Sequence, residues 1–268
     1  ILNRLLCYNK SINGFLLILT YLLVLILNYK NKKDLEVAVN LLIIMKKLGI
    51  LLILIGVVFF SFPKIAELFL LNKNQGIVED VSSKELVQNA NSGDKNFDQS
   101  KVKPIDINGA ILNAKDADMS KVVGQLTIPS INKNIAIFDG LENNNLMFGA
   151  CTMKPNQRMG LGNYAIAGHY MKNEKLLFGG LMNVKLGDKI KLTNKKNIYE
   201  YTVFKTLKVK NDRLDLIQDS MTSQADGKAV VSLMSCYYDD SNYRYFVFGK
   251  FDKLYPYSPD QMLKGIQD

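Results

Sequence analysis

From about residue 120 onward, short apolar runs recur and are separated by polar turns. In "YEYTVFKTLKV", apolar and polar residues alternate with the period of two that is typical of a half-buried β-strand. Segments rich in Gly, Asn, Asp and Lys, such as "TNKKN", mark the turns. A helical segment is expected at 173–183. The pattern predicts strands at 122–128, 134–138, 163–169, 188–193, 198–210, 228–236 and 243–251. We therefore expect an all-β fold, an antiparallel barrel of seven or eight strands with short helices.

Two aliphatic runs precede the strands, "GFLLILTYLLVLIL" at 14–27 and "LGILLILIGVVFFSF" at 48–62. With their apolar flanks they approach the length that spans a bilayer. Five lysines between the runs predict a cytoplasmic loop, which sends everything after Leu71 outside the cell. We expect residues 45–71 to be an uncleaved signal anchor and residues 1–44 to be either an upstream extension or an extra transmembrane segment. The protein would then cross the cell membrane once or twice.

Residues 72–103 are polar and contain few large apolar side chains, which is typical of a linker. We expect this extracytoplasmic linker to include a short helix around 83–89. The barrel would occupy residues 104–256, followed by a C-terminal tail at 257–268.

The composition excludes several classes of function. The net charge is +9, but it comes from scattered lysines rather than from an arginine cluster or basic residues interleaved with aromatic ones. Binding to nucleic acid is therefore not expected, whereas an anionic membrane or a cell-wall polymer is a suitable neighbour. The chain has 3 cysteines, far apart in sequence, and 1 histidine. These numbers do not build a disulfide framework or a closed Cys/His zinc site, so we expect no metal and no cofactor.

Three scarce residues lie at the ends of predicted strands. Cys236 ends "KAVVSLMSC", His169 ends "NYAIAGH", and Arg244 opens the strand after Cys236. Each alone has an ordinary structural interpretation: a buried thiol, a surface imidazole and a solvated guanidinium. Nucleophilic cysteine catalysis, however, needs either a base or an imidazolium partner, and His169 is the one candidate in this chain. If the three strand ends share one rim of a barrel, Arg244 can either stabilise an oxyanion beside the thiol or orient the substrate backbone.

These motifs resemble those of the class A sortases, the housekeeping transpeptidases of Gram-positive bacteria. The resemblance covers about residues 120–251 and rests on "GQLTIPSINKNIAIFDGLENNNLMFGACTMKPNQRMGLGNYAIAGHYM", "AVVSLMSC" and "YRYFVFGKF". It implies an eight-stranded sortase-type β-barrel with a catalytic His169, Cys236 and Arg244. It also implies cleavage of an LPxTG-type sorting signal between Thr and Gly, a thioacyl intermediate on the cysteine, and transfer of a surface protein to an amine of lipid II or another peptidoglycan precursor.

By the same resemblance, the groove for the signal peptide is lined by four residues of the two motif strands: Ala167, Ser232, Met234 and Ser235. The usual family motif T-L-x-T-C is "SLMSC" here, so both threonines are replaced by serine. Some class A sortases bind calcium through acidic residues upstream of the histidine. The segment "TMKPNQRMG" contains no carboxylate, which predicts an activity independent of calcium. Residues 211–227 are expected to form a loop and short helix that cover the Leu-Pro end of the groove, with a polarity that fits a mobile lid. Cys151 is expected to be a buried spare thiol.

Two alternatives remain open at this point. One is a sortase of another class, such as a pilin polymerase, whose acceptor amine is a protein lysine. The other is an anchored β-barrel that binds cell-wall or surface ligands without catalysis. Replacement of Cys236 by alanine distinguishes an enzyme from a binding protein.

Overall fold

The alternating runs form a closed β-barrel. The computed structural model describes residues 32–91, 95–102, 117–237, 240 and 242–267. Within these residues, eight strands close in the order β1-β2-β3-β4-β7-β8-β6-β5, so the predicted all-β barrel is confirmed. The strands are β1 (Val122–Ile128), β2 (Lys133–Phe138), β3 (Ala150–Thr152), β4 (Asn163–Ala167), β5 (Lys189–Thr193), β6 (Asn197–Lys210), β7 (Val230–Cys236) and β8 (Tyr243–Pro256). The strand absent from the prediction, β3, has three residues and is too short to show alternation.

The barrel is not purely antiparallel, and the prediction was wrong on this point. β2 pairs with β3, and β4 pairs with β7, in parallel. Alternation along one strand reports which side chains are buried but not which strand lies beside it, so the pairing direction could not be predicted. The parallel β4–β7 pair matters for function because the carboxyl ends of two parallel strands lie at the same edge of the barrel.

Apolar side chains form two clusters on opposite faces of the strands. Residues from all eight strands, including Leu126, Ile166, Leu233 and Val247, meet in the barrel interior. A second cluster covers the outer face of the barrel and contains side chains from helices and loops as well as from strands. Because side chains alternate along a strand, Val231 and Leu233 of β7 point inward while Val230 and Met234 point to the outer cluster.

Helix α1 (Lys32–Asp80) begins in a unit that ends at Phe62, and its remainder belongs to a second unit, Pro63–Asp268. Up to Phe62 most of its described apolar side chains are exposed, with Phe60 at 91%. Among the described residues this is the one helix long and apolar enough to cross a membrane, by length and composition alone. The first aliphatic run, 14–27, and most of segment 1–44 lie outside the described residues.

Within the second unit, residues 63–91 cover the outer face of the barrel rather than forming an extended linker. Side chains of α1 spaced by three or four residues are buried there, as is Leu86 of α2 (Ser83–Ala90). The side-chain oxygen of Asn74 accepts a 3.3 Å hydrogen bond from the backbone N–H of Ala136. β3 pairs only with Ile137 and Phe138 of β2, so Asn74 satisfies a donor on the part of the β2 edge that β3 does not reach.

The remaining helices are short. α3 (Asn143–Leu146) lies between β2 and β3, and α4 (Pro259–Leu263) follows β8. The C-terminal tail is held on the barrel because Met262 is fully buried and its carbonyl accepts a hydrogen bond from the Thr127 hydroxyl. The predicted helix at 173–183 was wrong: this segment is a loop that ends in one 3₁₀ turn, Leu181–Asn183.

Candidate active site

Cys236 and Arg244 face each other across the β7–β8 pair. The antiparallel register places Cys236 directly opposite Arg244. Directly opposite side chains of an antiparallel pair project from the same face, with Cβ atoms about 5 Å apart. Cys236 shares the alternation of Met234, so this is the face of the outer cluster rather than the barrel interior. The thiol and the guanidinium are both partly exposed, and Arg244 donates to the carbonyl of Tyr243 at 3.0 Å.

His169 reaches the same edge through the parallel β4–β7 pair. In that register Ala167 lies beside Met234, and the next residue, Gly168, donates its backbone N–H to the Met234 carbonyl at 3.0 Å. Because the two strands run in the same direction, His169 lies near the end of β7 that carries Cys236. A Cβ on Gly168 would lie 2.7 Å from the ring of Phe178, so this close approach of the ring requires glycine.

The His169 imidazole is 7% exposed. Burial removes the water that would solvate an imidazolium, and this desolvation lowers the pKa of His169 from 6.5 to about 4. The ring is therefore neutral near pH 7. The three strand ends thus carry a partly exposed thiol, a buried imidazole and a partly exposed guanidinium, the types of group that acyl transfer through a cysteine uses.

Comparison with known proteins identifies the family. Residues 126–252 match the Sortase domain family. Sortase A of Listeria monocytogenes is 34% identical over 199 residues, which cover 71% of this chain and 83% of that protein. Sortase A of Bacillus anthracis is 36% identical over 153 residues, 57% of this chain and 69% of that protein. The chain is a class A sortase. Membership implies a cell-wall cysteine transpeptidase.

A solved structure shares the fold of this sortase. Sortase C-3 of Streptococcus pneumoniae superposes with a TM-score of 0.52 at 20% identity, covering 72% of this chain and 95% of that one. At this identity the likeness shows the fold alone. It is consistent with the closed eight-stranded barrel described above.

The four groove residues expected from the sequence differ in accessibility. Ala167 and Met234 border the outer cluster on the face that carries Cys236, and Met234 is partly exposed. Ser232 is fully buried, and its hydroxyl donates to Asn163 Oδ1 at 2.7 Å. Ser235 is 1% exposed and its hydroxyl donates to the Cys236 carbonyl at 3.2 Å. The two serine side chains are therefore buried and hydrogen-bonded within the protein. Of the four residues, Met234 alone is partly exposed.

Residues 211–227, which we call the wall, form a loop with short helical turns as expected, and this segment packs on the outer cluster. The segment contains 3₁₀ turns at Leu214–Ile217 and Asp219–Ala225, and four of its side chains, those of Leu216, Ile217, Met221 and Ala225, are buried in the outer cluster. Asn163 holds the wall, because its side-chain amide donates to the carbonyls of Leu216 and Gln218 at 3.1 and 3.2 Å. Asn163 and Ser232 thus link β4, β7 and the wall.

Lys154 ties the β3–β4 loop to this wall. Its ammonium pairs with the Asp219 carboxylate, which also accepts a 2.9 Å hydrogen bond from the Asn163 N–H. These contacts lower the pKa of Asp219, the Lys154 bond contributing most. Cys151 is fully buried, and burial raises the pKa of its thiol far above its usual range. Within the described part of the chain, no cluster of His, Cys, Asp or Glu could hold a metal ion.

Sequence reasoning did not identify Asn163, Lys133 or Phe178 as part of the surroundings of the site. Lys133 and Asn163 each open an apolar strand, a position that surface residues of the same types also take. Gly168 offered an indirect signal, since glycine directly before the histidine indicates close packing of another group. That group is Phe178, whose place could not be read from the sequence.

Proposed function

We propose that this sortase is a membrane-anchored cysteine transpeptidase that cleaves an LPxTG-type sorting signal between Thr and Gly. The acyl group would pass through a thioester on Cys236 to an amine of lipid II or of a peptidoglycan stem peptide. The register that sets Cys236 opposite Arg244, with the carboxyl end of β4 beside β7, is the observation that carries the proposal. Two relatives named sortase A, from Listeria monocytogenes and Streptococcus agalactiae, match over 83% and 92% of their length, which favours the housekeeping activity over pilin polymerisation.

The proposed first half-reaction begins with attack of the Cys236 sulfur on the threonine carbonyl carbon. The thiol proton moves to the neutral His169 ring, and the oxyanion that forms lies beside the Arg244 guanidinium. As the tetrahedral intermediate collapses, the C–N bond breaks and His169 returns the proton to the glycine amine. The glycine-bearing fragment leaves and a thioester remains on Cys236.

The second half-reaction reverses these roles. The acceptor amine attacks the thioester carbonyl while His169 accepts a proton from the amine nitrogen. Collapse of the second intermediate breaks the C–S bond, forms the new amide and restores the thiol with the proton held by His169. Arg244 stabilises both oxyanions. The chain's own residues supply every group in this sequence, without a cofactor.

The test is intact-mass spectrometry of the full chain after incubation with a fluorogenic LPxTG peptide. We expect an acyl adduct on Cys236 that disappears on addition of triglycine, with formation of the ligated peptide. Cys236→Ala should abolish the adduct, whereas Cys151→Ala should not, since Cys151 is fully buried. Absence of any adduct on the wild-type protein would contradict the proposal and favour a binding protein. Adduct turnover only with a lysine-containing protein acceptor would favour a pilin polymerase.

Anchoring in the cell membrane is part of the same proposal. Support comes from the exposed aliphatic side chains of α1 up to Phe62 and from the lysines that precede this run. The catalytic unit would lie outside the cell, where sorting signals and peptidoglycan precursors meet. Protease treatment of intact protoplasts should digest the barrel and spare the anchor. Protection of the barrel in intact cells would refute this topology.

A further inference from the structure

The loop between β4 and the 3₁₀ turn at Leu181–Asn183, which we call the histidine loop (residues 169–180), carries His169 at its start. It is closed by a 3.0 Å hydrogen bond from the Phe178 N–H to the His169 carbonyl. A Cβ on Gly179 would collide with the carbonyl oxygens of three loop residues: Met171, Asn173 and Leu176. Backbone carbonyls therefore converge on the inside of the loop, which makes its interior electronegative.

Lys133 meets this loop from the first position of β2. Its side chain is 1% exposed and is among the largest fully buried side chains of the protein. The ammonium donates a 2.7 Å hydrogen bond to the backbone carbonyl of Glu174. Burial lowers the pKa of Lys133 to about 8, and the Glu174 carboxylate opposes this shift. A buried ammonium is costly unless it is hydrogen-bonded, so the Lys133 charge and the loop carbonyls compensate each other.

A second contact holds the adjacent loop residue. The Asn173 side-chain amide donates to the Glu67 carboxylate at 2.7 Å, and the Asn173 Oδ1 accepts from the Lys175 N–H at 3.0 Å. Glu67 belongs to the part of α1 that covers the barrel. Consecutive loop residues are thus held by groups from two distant segments, and Leu177 has a φ of +38°, a conformation that a non-glycine residue retains only when its surroundings enforce it.

We propose that Lys133 is a positioning residue for His169, that it acts by holding the histidine loop through Glu174, and that Glu67 supports the same loop through Asn173. The consequence for catalysis rests on the proposed function. Packing of the loop keeps water from the imidazole, and the fixed loop holds the ring beside the end of β7. Other titratable groups lie on the loop itself and at the ends of the neighbouring strands, and none of them is replaced in Lys133→Met or Lys191→Met: Tyr170, Lys172, Glu174, Lys175, Cys236, Tyr237, Tyr243, Arg244 and Tyr245.

The test compares Lys133→Met with a matched control, Lys191→Met, in the full chain in detergent micelles. Lys191 is 6% exposed, and its ammonium also donates to a backbone carbonyl, that of Gln261, at 2.7 Å. It therefore reproduces the loss of a buried lysine away from the histidine loop. Because the chain has 1 histidine, labelling with ¹³C-histidine gives one imidazole signal whose pH titration reports on His169 alone.

We expect Lys133→Met to raise the pKa of His169 from about 4 toward its ordinary value of 6.5, because water enters the loosened loop. With an LPxTG peptide, kcat should fall about tenfold or more while KM changes little, since the base is displaced and the groove is not. Lys191→Met should change neither the pKa of His169 nor kcat, even where it lowers the melting temperature. Glu67→Ala, at a partly exposed position, should raise the pKa of His169 by a smaller amount.

The proposal is overturned if the His169 titration and kcat of Lys133→Met match those of Lys191→Met. Where Lys133→Met does not fold, Glu67→Ala decides: an unchanged titration overturns the proposal, and a raised pKa supports it. Failure of the wild-type chain to cleave any sorting peptide would contradict the proposed function but would leave the titration result intact. The two failures are therefore distinguishable.

Discussion

Replacing Asn163 by alanine tests whether the wall at 211–227 is held by the buried polar network. Asn163 is fully buried, donates to the carbonyls of Leu216 and Gln218, and accepts from the Ser232 hydroxyl. The substitution removes three hydrogen bonds and leaves two of the partners, the Leu216 carbonyl and the Ser232 hydroxyl, on buried residues. At about 1 kcal/mol for each bond, the free energy of unfolding should fall by about 3 kcal/mol. For a domain of roughly 200 residues this corresponds to a melting temperature lower by about 6–12 °C.

The assay is thermal unfolding of the full chain in detergent, followed by kinetics with an LPxTG peptide. Asn183→Ala, at the exposed last residue of the 3₁₀ turn Leu181–Asn183, is the matched control and should change stability by no more than about 0.5 kcal/mol. Since the wall packs on the outer cluster beside Met234, we also expect KM of the Asn163 variant to rise more than kcat falls. A melting temperature equal to that of the control would refute the reasoning, because it would mean that water replaces the lost amide without cost.

Three further predictions follow from the site. The pKa of His169 is lower in the folded than in the unfolded chain, so the unfolded chain binds more protons between about pH 4 and 6.5. The free energy of unfolding should therefore decrease as pH falls through this window, by at most about 3 kcal/mol. Urea unfolding at several pH values should show this decrease for the wild type and not for His169→Gln. Peptide cleavage should be equal in EDTA and in millimolar calcium, whereas Lys154→Met should raise KM by loosening the loop that Asp219 holds. Cys151 should resist alkylation in the folded protein and react after denaturation, as its complete burial requires.

The strands were predictable because alternation is a local property of the chain. Each predicted run corresponds to a strand within a few residues. Only β3 was not predicted, because three residues are too few to show alternation. The parallel pairing of β4 with β7 depends on contacts between residues 67 positions apart and leaves no mark in either run. The sequence therefore indicated that His169 and Cys236 end strands, and only the topology shows why two strand ends from separate parts of the chain share an edge.

The residues of the candidate site were predictable because histidine, cysteine and arginine are rare in this chain, and not because of a hydrophobic pattern. In a chain with 1 histidine and few arginines, the residues suited to cysteine chemistry are few, and their places at strand ends narrow the choice further. Lys133 and Asn163 could not be found in this way, because lysine and asparagine are abundant and usually exposed. Ser232, in contrast, was identified from the motif, but its surroundings were not. Its hydroxyl is buried beneath the wall and donates to Asn163, which lies 69 residues away in the sequence.

Residues 63–91 show why a domain boundary is better drawn from burial than from family resemblance. The Sortase domain family matches 126–252, and polarity alone suggested a linker at 72–103. Yet Leu70, Ile77 and Leu86 are each no more than 3% exposed, and Asn74 satisfies a donor on the β2 edge. A chain that began at residue 104 would expose this apolar surface and leave that donor to water. The helix that continues from the candidate membrane span is therefore part of the catalytic unit, and through Glu67 it contacts the loop that carries the histidine.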